Sequence, residues 1–201
     1  MTIALLSTDV RRPTTLLLAA FLTLAGAGPA AAAERLEISG KYGTIDFAIG
    51  NSRVFRTTGS FTDWKGTVKV DDVNVGQSSV DVIVKTASIQ MLDTQQTNIL
   101  KDSDYFDVAH FPEMTFHSTR VERTGEYSLK VEGDITLRGV TRPMTLAMTV
   151  SDRQPQAAPG ARYARFRGVG TIKRSEFGMT KYIDMVGDNV EISITTEARR
   201  H

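Results

Sequence analysis

The 201-residue sequence predicts an all-β, antiparallel fold, closed into a barrel or stacked as a sandwich. Three observations carry that reading. Apolar and polar residues alternate with period two in about nine short runs, the mark of strands with one buried and one wet face. The breaks between the runs are rich in glycine, proline and aspartate, which suit turns. Only one stretch, 88–101, has apolar residues nearer helical spacing.

In chain order, the first 33 residues read as an address rather than structure. Arg11 and Arg12 precede an apolar run from Leu16 to Leu24, and small residues end in Ala31-Ala32-Ala33. A basic start, an apolar centre and an A-x-A exit make a cleavable secretory signal peptide. The run is too short to span a bilayer. Pro13-Thr14-Thr15 after the arginine pair favours the ordinary export route over the twin-arginine one. Residues 34–201 are then one mature domain, long enough to bury a core without staples. The chain has no cysteine, so packing alone must hold it. With 24 Lys and Arg against 23 Asp and Glu, the balance argues against nucleic acid and against strong adhesion to anionic lipid. No other apolar stretch is long enough for stable membrane insertion.

Ile45, Phe47 and Ile49 form the first alternating run. Phe55, Gly59 and Phe61 form the second, and Trp64, Gly66, Val68 and Val70 the third; these two read as halves of one bent strand. Val80, Val82 and Val84 follow, then Met114 and Phe116 up to Val121. In the stretch 88–101, Met91, Leu92, Gln95, Ile99 and Leu100 predict a helix, with Ser88 as cap. The chain's template is the hairpin from Val131 to Val150. Leu129, Val131, Gly133, Ile135 and Leu137 share one face, and Met144, Leu146, Met148 and Val150 share the corresponding face beyond the turn. Gly139 suits a positive φ there, and Pro143 suits a strand edge. Ser151 to Arg162 is rich in Pro, Ala and Gly and predicts a surface loop. Ala164, Phe166, Gly168, Gly170 and Ile172 form the next run, and Val190, Ile192 and Ile194 the last. An eight-stranded barrel would remove the sheet's edges and leave an interior that side chains fill or that holds one small ligand.

The sequence carries no positive sign of catalysis. His110 and His117 stand apart across a proline, His201 is terminal, and no metal-ligand spacing occurs. No serine sits in a nucleophile elbow. Asp71-Asp72 and the acids from Asp102 to Asp107 fall where turns are expected. Six methionines lie beyond the leader: Met91, Met114, Met144, Met148, Met179 and Met185. Methionine suits an irregular core or an adaptable apolar site, and composition alone favours the core. Arg138, Arg142, Arg174 and Lys181 cluster near turns. They read first as solvated turn residues, and alternatively as contacts for an anionic head group at a barrel mouth.

Several segments together resemble the YceI-like proteins. Gly133-Asp134-Ile135-Thr136-Leu137-Arg138-Gly139-Val140-Thr141-Arg142-Pro143 is similar to that family's G-D-L-T-I-(R/K)-G-V-T-(R/K)-P stretch. GSFTDWKGT, Gly59 to Thr67, resembles G-x-F-x-x-F-x-G-T, with Trp64 for the usual Phe. Asp104 to Val108, with Phe111-Pro112 and Thr115-Phe116, resembles D-F-F-D-V-x-x-Y-P-x-x-T-F. Arg174 to Met179 resembles the family's N-R-S-D-F-G-L, with Lys173 where Asn is usual, and Gly187 to Ile192 resembles G-D-x-V-x-I. One departure is Ile49-Gly50-Asn51-Ser52, where members often carry Val-Lys-His.

The resemblance implies an antiparallel, lipocalin-like β-barrel of about eight strands, with a helix inserted near 88–101. It implies a periplasmic binding protein that holds an isoprenoid lipid, a polyprenyl phosphate or quinone-type tail, for carriage, storage or sequestration. It favours the methionines as lining. By strand parity the expected tunnel wall is Phe47, Ile49, Val82, Val84, Met114, Phe116, Val131, Ile135, Met144, Leu146, Met148, Phe166, Ile172, Ile192 and Ile194. Asp81, Lys85, Glu132, Asp134, Arg165 and Glu191 should face outward, since a one-residue slip would bury them all. The expected ligand is an isoprenoid or other long-chain lipid, with no cofactor, metal or catalytic residue; a homodimer stays open as an assembly. The alternative is a barrel-scaffold enzyme acting on small lipidic substrates.

Overall fold

The computed structural model describes residues 33–50, 56–154 and 162–200. The leader assigned to residues 1–33 lies outside them but for its last residue, as do Phe55 and most of the loop expected from Ser151 to Arg162.

Eleven strands are formed among the described residues. They are β1 (Glu34–Ser39), β2 (Gly43–Ile49), β3 (Thr57–Phe61), β4 (Trp64–Val70), β5 (Ser79–Lys85), β6 (Ile89–Met91), β7 (Glu113–Arg123), β8 (Ser128–Leu137), β9 (Val140–Ser151), β10 (Arg162–Lys173) and β11 (Asn189–Arg200). All pairings are antiparallel. A ring of eight, β1-β4-β5-β7-β8-β9-β10-β11, is closed by β1 on β11, and β2, β3 and β6 extend from β11. The topology simplifies when bends are joined. β1 and β2 are one arm bent at 40–42, β3 and β4 a second bent at Thr62-Asp63, and β5 and β6 a third bent at Thr86–Ser88. Each of the eight resulting arms pairs with its neighbour in sequence, an up-and-down meander. The bends are tied together, with Gly40 N–H donating to the Trp64 carbonyl and Lys85 N–H to that of Asp63, both at 2.9 Å.

Two strands go beyond the sequence expectation. β1 was legible, since Leu36 and Ile38 alternate with Arg35 and Glu37, and both apolar residues are buried. β6 occupies the first part of the expected helix. Ile89 and Met91 pair with Phe61 and Gly59 across the sheet, so the local period there is two. The helix α1 is therefore shorter, Thr94–Lys101, and its cap is Asp93 rather than Ser88: the Asp93 carboxylate accepts from Gln96 N–H at 2.8 Å. Ser88 instead closes the bend, donating to the Lys85 carbonyl at 2.7 Å.

The central hairpin closes in two residues. Leu137 pairs with Val140, and Arg138 and Gly139 both have positive φ, 52° and 72°. Two left-handed residues match the twist of the flanking strands in a tight hairpin. Pro143 sits inside β9, opposite Asp134, but the ladder between β9 and β10 begins only at Leu146. Its ring thus stands where β9 has a partner on one side only, as an imino residue requires.

Candidate functional site

A cavity of about 630 Å³ lies inside the barrel. Two buried apolar clusters form its walls. One is built on Ile38, Ile45, Phe61, Trp64 and Phe166, the other on Val131, Ile135, Met144 and Leu146; Met114, Met148, Ile192 and Ile194 pack against both. The parity rule operates along most of the wall, with Asp46, Lys69 and Thr115 as exceptions. All fifteen side chains expected to face inward are brought to the cavity wall. The six charged residues expected outward are absent from it. Five of them make ion pairs outside the cavity, including Asp81 with His117, Lys85 with Glu113, Glu132 with Lys130 and Glu191 with Arg56. Five of the six methionines, all but Met185, also line the cavity. Close approach shapes the wall at Gly168: a Cβ there would collide with the Met148 sulfur of the paired residue across the ladder.

At one end, here the helix end, α1 and the connections 102–112 and 174–188 gather. Leu100 and Phe106 pack inward, and the Phe106 ring meets Phe61 edge-on at 5.5 Å. Helix α2 (Ile183–Val186) lies on the second connection. Of the four cations singled out in the sequence, Arg174 and Lys181 line the cavity and Arg138 and Arg142 do not. Arg138 has a positive φ that sends its side chain over Phe111 to the carbonyls of Ser103, at 2.7 Å, and Tyr105. Arg142 is exposed and bonds to the Thr141 carbonyl at 3.0 Å. Lys181 pairs with Asp104, which raises its pKa. Arg174 is buried. Its Nε donates to the Gly187 carbonyl at 2.8 Å and one terminal nitrogen to that of Met179 at 3.1 Å.

The opposite, turn end is closed by charged side chains. Asp72 from the 71–78 segment pairs with Arg153, and the buried Tyr163 hydroxyl lies between them, accepting from Arg153 Nε at 3.1 Å and donating to the Asp72 carboxylate. Burial pushes the Tyr163 pKa up, against the opposing pull of Arg153. On the outer face near the same end, Glu197 receives hydrogen bonds from Arg165, Arg162 and Arg199; these bonds, that from Arg165 first, hold its carboxyl below the usual range despite some desolvation.

Of the three histidines flagged by sequence, His110 and His117 are exposed and paired with Asp107 and Asp81 outside the cavity, and His201 lies outside the described residues. Among the described residues no group of His, Asp and Glu is placed to hold a metal ion. The wall also contains residues sequence reasoning left out. Ile38, Phe61, Trp64, Val68 and Val80 follow from the same parity. Leu100 and Phe106 come from the caps, where no strand period exists to point them inward. Chemically, the arrangement offers a narrow apolar enclosure with polar ends.

Comparison with known proteins agrees with this geometry. A family model described as the YceI-like domain matches residues 36–198. A UPF0312 protein of Pseudomonas syringae pv. tomato is 33% identical over 175 residues, covering 87% of this chain and 90% of its own length. The crystal structure of Burkholderia cenocepacia BcnA superposes with a TM-score of 0.69 at 26% identity, over 80% of this chain and 98% of its own. A polyisoprenoid-binding domain from Saccharophagus degradans, implicated in plant cell wall breakdown, shares the fold with a TM-score of 0.58 at 11% identity, over 84% of this chain and 99% of its own.

Proposed function

This chain belongs to the YceI-like family, and we propose that it is a binding protein that holds an isoprenoid lipid in its barrel cavity. The single observation that carries the reading is the apolar cavity lined by Phe, Ile, Val, Leu and Met from all around the barrel. The polyisoprenoid binding stated for the Saccharophagus degradans domain supports it by analogy of fold. Each methylene moved from water into such a cavity contributes about 0.8 kcal/mol before ordering costs. A branched prenyl tail can therefore be retained by burial alone, and the methionine-rich wall can follow its irregular outline.

Carriage or storage fits this wall better than catalysis, because His110 and His117 lie outside the cavity and the carboxylates on its wall stand mostly at the turn end. We place the protein in the periplasm, after removal of residues 1–33. Amino-terminal sequencing of exported material should begin near Glu34; a retained Met1 on protein found with the cytosol contradicts that placement.

Native mass spectrometry on protein purified without detergent tests the binding reading. It should reveal a co-purified species whose masses step by one isoprene unit. Protein that emerges empty after mild extraction, and takes up no prenyl alcohol when offered one, contradicts it.

A further inference from the structure

We propose that the helix end of the barrel is a docking surface for a zwitterionic lipid bilayer, with Ile99 of α1 and Tyr182 and Met185 at α2 as the side chains that enter it. The proposal rests on the lipid-binding reading above and assigns the surface from which the ligand is collected.

The first observation is that the apolar wall continues out of the cavity at this end. Ile99 and Tyr182 line the cavity and are also 49% and 59% exposed. Their neighbours Leu100 and Val186 stand on the same wall. Met185, 79% exposed and off the wall, follows Tyr182 by one turn, its N–H donating to the Tyr182 carbonyl at 3.1 Å. The two lips are tied together: Lys181, beside Tyr182, pairs with Asp104 on the connection that follows α1. Apolar side chains open to solvent at the rim of an apolar cavity mark a contact site. A tyrosine with aliphatic neighbours suits the boundary between lipid and water. A prenyl chain that travels through water exposes its whole apolar length, whereas a docked cavity receives it straight from the acyl chains.

The second observation is the difference in charge between the ends. Residues 94–112 and 174–188 place no carboxylate on the wall. The turn end also exposes apolar side chains, Val73 and Tyr127, but there the wall carries Asp71, Asp72, Glu126 and Asp152. Pressing carboxylates against a bilayer strips their water at high cost, so the turn end is the wrong face. Charge also selects the lipid. In 94–112 and 174–188 the acids Asp102, Asp104, Asp107, Glu176, Asp184 and Asp188 outnumber the cations Lys101, Arg174 and Lys181. Anionic lipid is therefore not attracted, and apolar contact carries the docking.

The test uses mature protein stripped of lipid, with geranylgeraniol carried in phosphatidylcholine vesicles. The rate of uptake should rise with protein concentration, as transfer by contact requires. Met185→Glu should slow uptake by about fivefold or more. Its affinity for geranylgeraniol offered without vesicles should stay that of wild type, since Met185 is off the wall. Val73→Glu, at the turn end, should leave uptake unchanged, and phosphatidylglycerol added to the vesicles should not speed it. Met185→Trp supplies a local reporter, because the chain's one tryptophan, Trp64, is buried. Its emission should shift to the blue on vesicles and be quenched by brominated phosphatidylcholine. A rate independent of protein concentration, the absence of quenching, faster uptake with phosphatidylglycerol, or slowing by Val73→Glu but not by Met185→Glu each overturns the docking surface while leaving lipid binding intact. Failure of wild type to bind geranylgeraniol with or without vesicles overturns the lipid-binding reading itself.

Discussion

The two ends of the barrel are closed by opposite means. At the helix end, long connections cross the opening and arginines hold them by their backbone: Arg138 on the Ser103 and Tyr105 carbonyls, Arg174 on those of Gly187 and Met179. At the turn end, side chains pair with side chains: Asp72 with Arg153, Glu34 with Arg200 and, on the outer face beside them, Glu197 with three arginines. The difference teaches what each closure leaves over. Ion pairs cancel charge. An arginine bonded to carbonyls stabilises a connection but keeps its positive charge, and Arg174 does so from a buried position.

Removing that arginine should have the largest effect. Arg174→Met strips two carbonyls of their donor and should destabilise the protein by about 2–4 kcal/mol, read as a lower denaturation midpoint. A loss below about 0.5 kcal/mol would mean that the helix end does not depend on it. Gly139→Val strikes the same end through the backbone. A β-branched residue at φ 72°, with Phe111 3.1 Å from the new Cβ, should cost about 1–3 kcal/mol. An unchanged midpoint would show that the turn relaxes without strain.

At the turn end a single removal should matter less, because several pairs share the closure. Tyr163→Phe deletes the hydroxyl between Asp72 and Arg153 and should cost about 0.5–1.5 kcal/mol. Lipid exchange should speed up more than with any variant of equal stability at the helix end; slower exchange would reverse the comparison. Acid should separate the ends most gently. Glu197 has a depressed pKa in the folded state, so its contribution is complete above the usual carboxylate range. It is lost as pH falls through the depressed folded value. Hydrogen exchange at low pH should therefore rise first around β10 and β11 near Glu197. A first rise around 174–188 would contradict the assignment of this carboxylate to the turn end.

The barrel wall was largely legible in the sequence, because a strand's period is local information. Asp81 and Val82 declare their faces by standing next to each other, and the ladder only propagates the choice. The ends were not legible for the same reason. Ile89 to Met91 carried too few residues to separate period two from helical spacing, and a partner in β3 decided it. Arg138, Arg142, Arg174 and Lys181 look alike as turn cations. Their fates depend on where the connection carbonyls lie, which no local pattern encodes. Arg138 is drawn off the wall by its left-handed backbone, and Arg174 is buried by its own capping bonds.

The central claim is that the lipid tail lies between these ends, on the wall built by strand parity. Met148 stands midway, packed against both apolar clusters. Met148→Trp narrows the cavity there without adding charge, at an overpacking cost of about 1–3 kcal/mol. The direct measurement is the affinity of folded wild-type and Met148→Trp protein, checked by circular dichroism, for prenyl alcohols of increasing length. The variant should bind short chains nearly as well as wild type and lose affinity sharply for long ones. A variant that binds every length as tightly as wild type would show that the tail is held somewhere else.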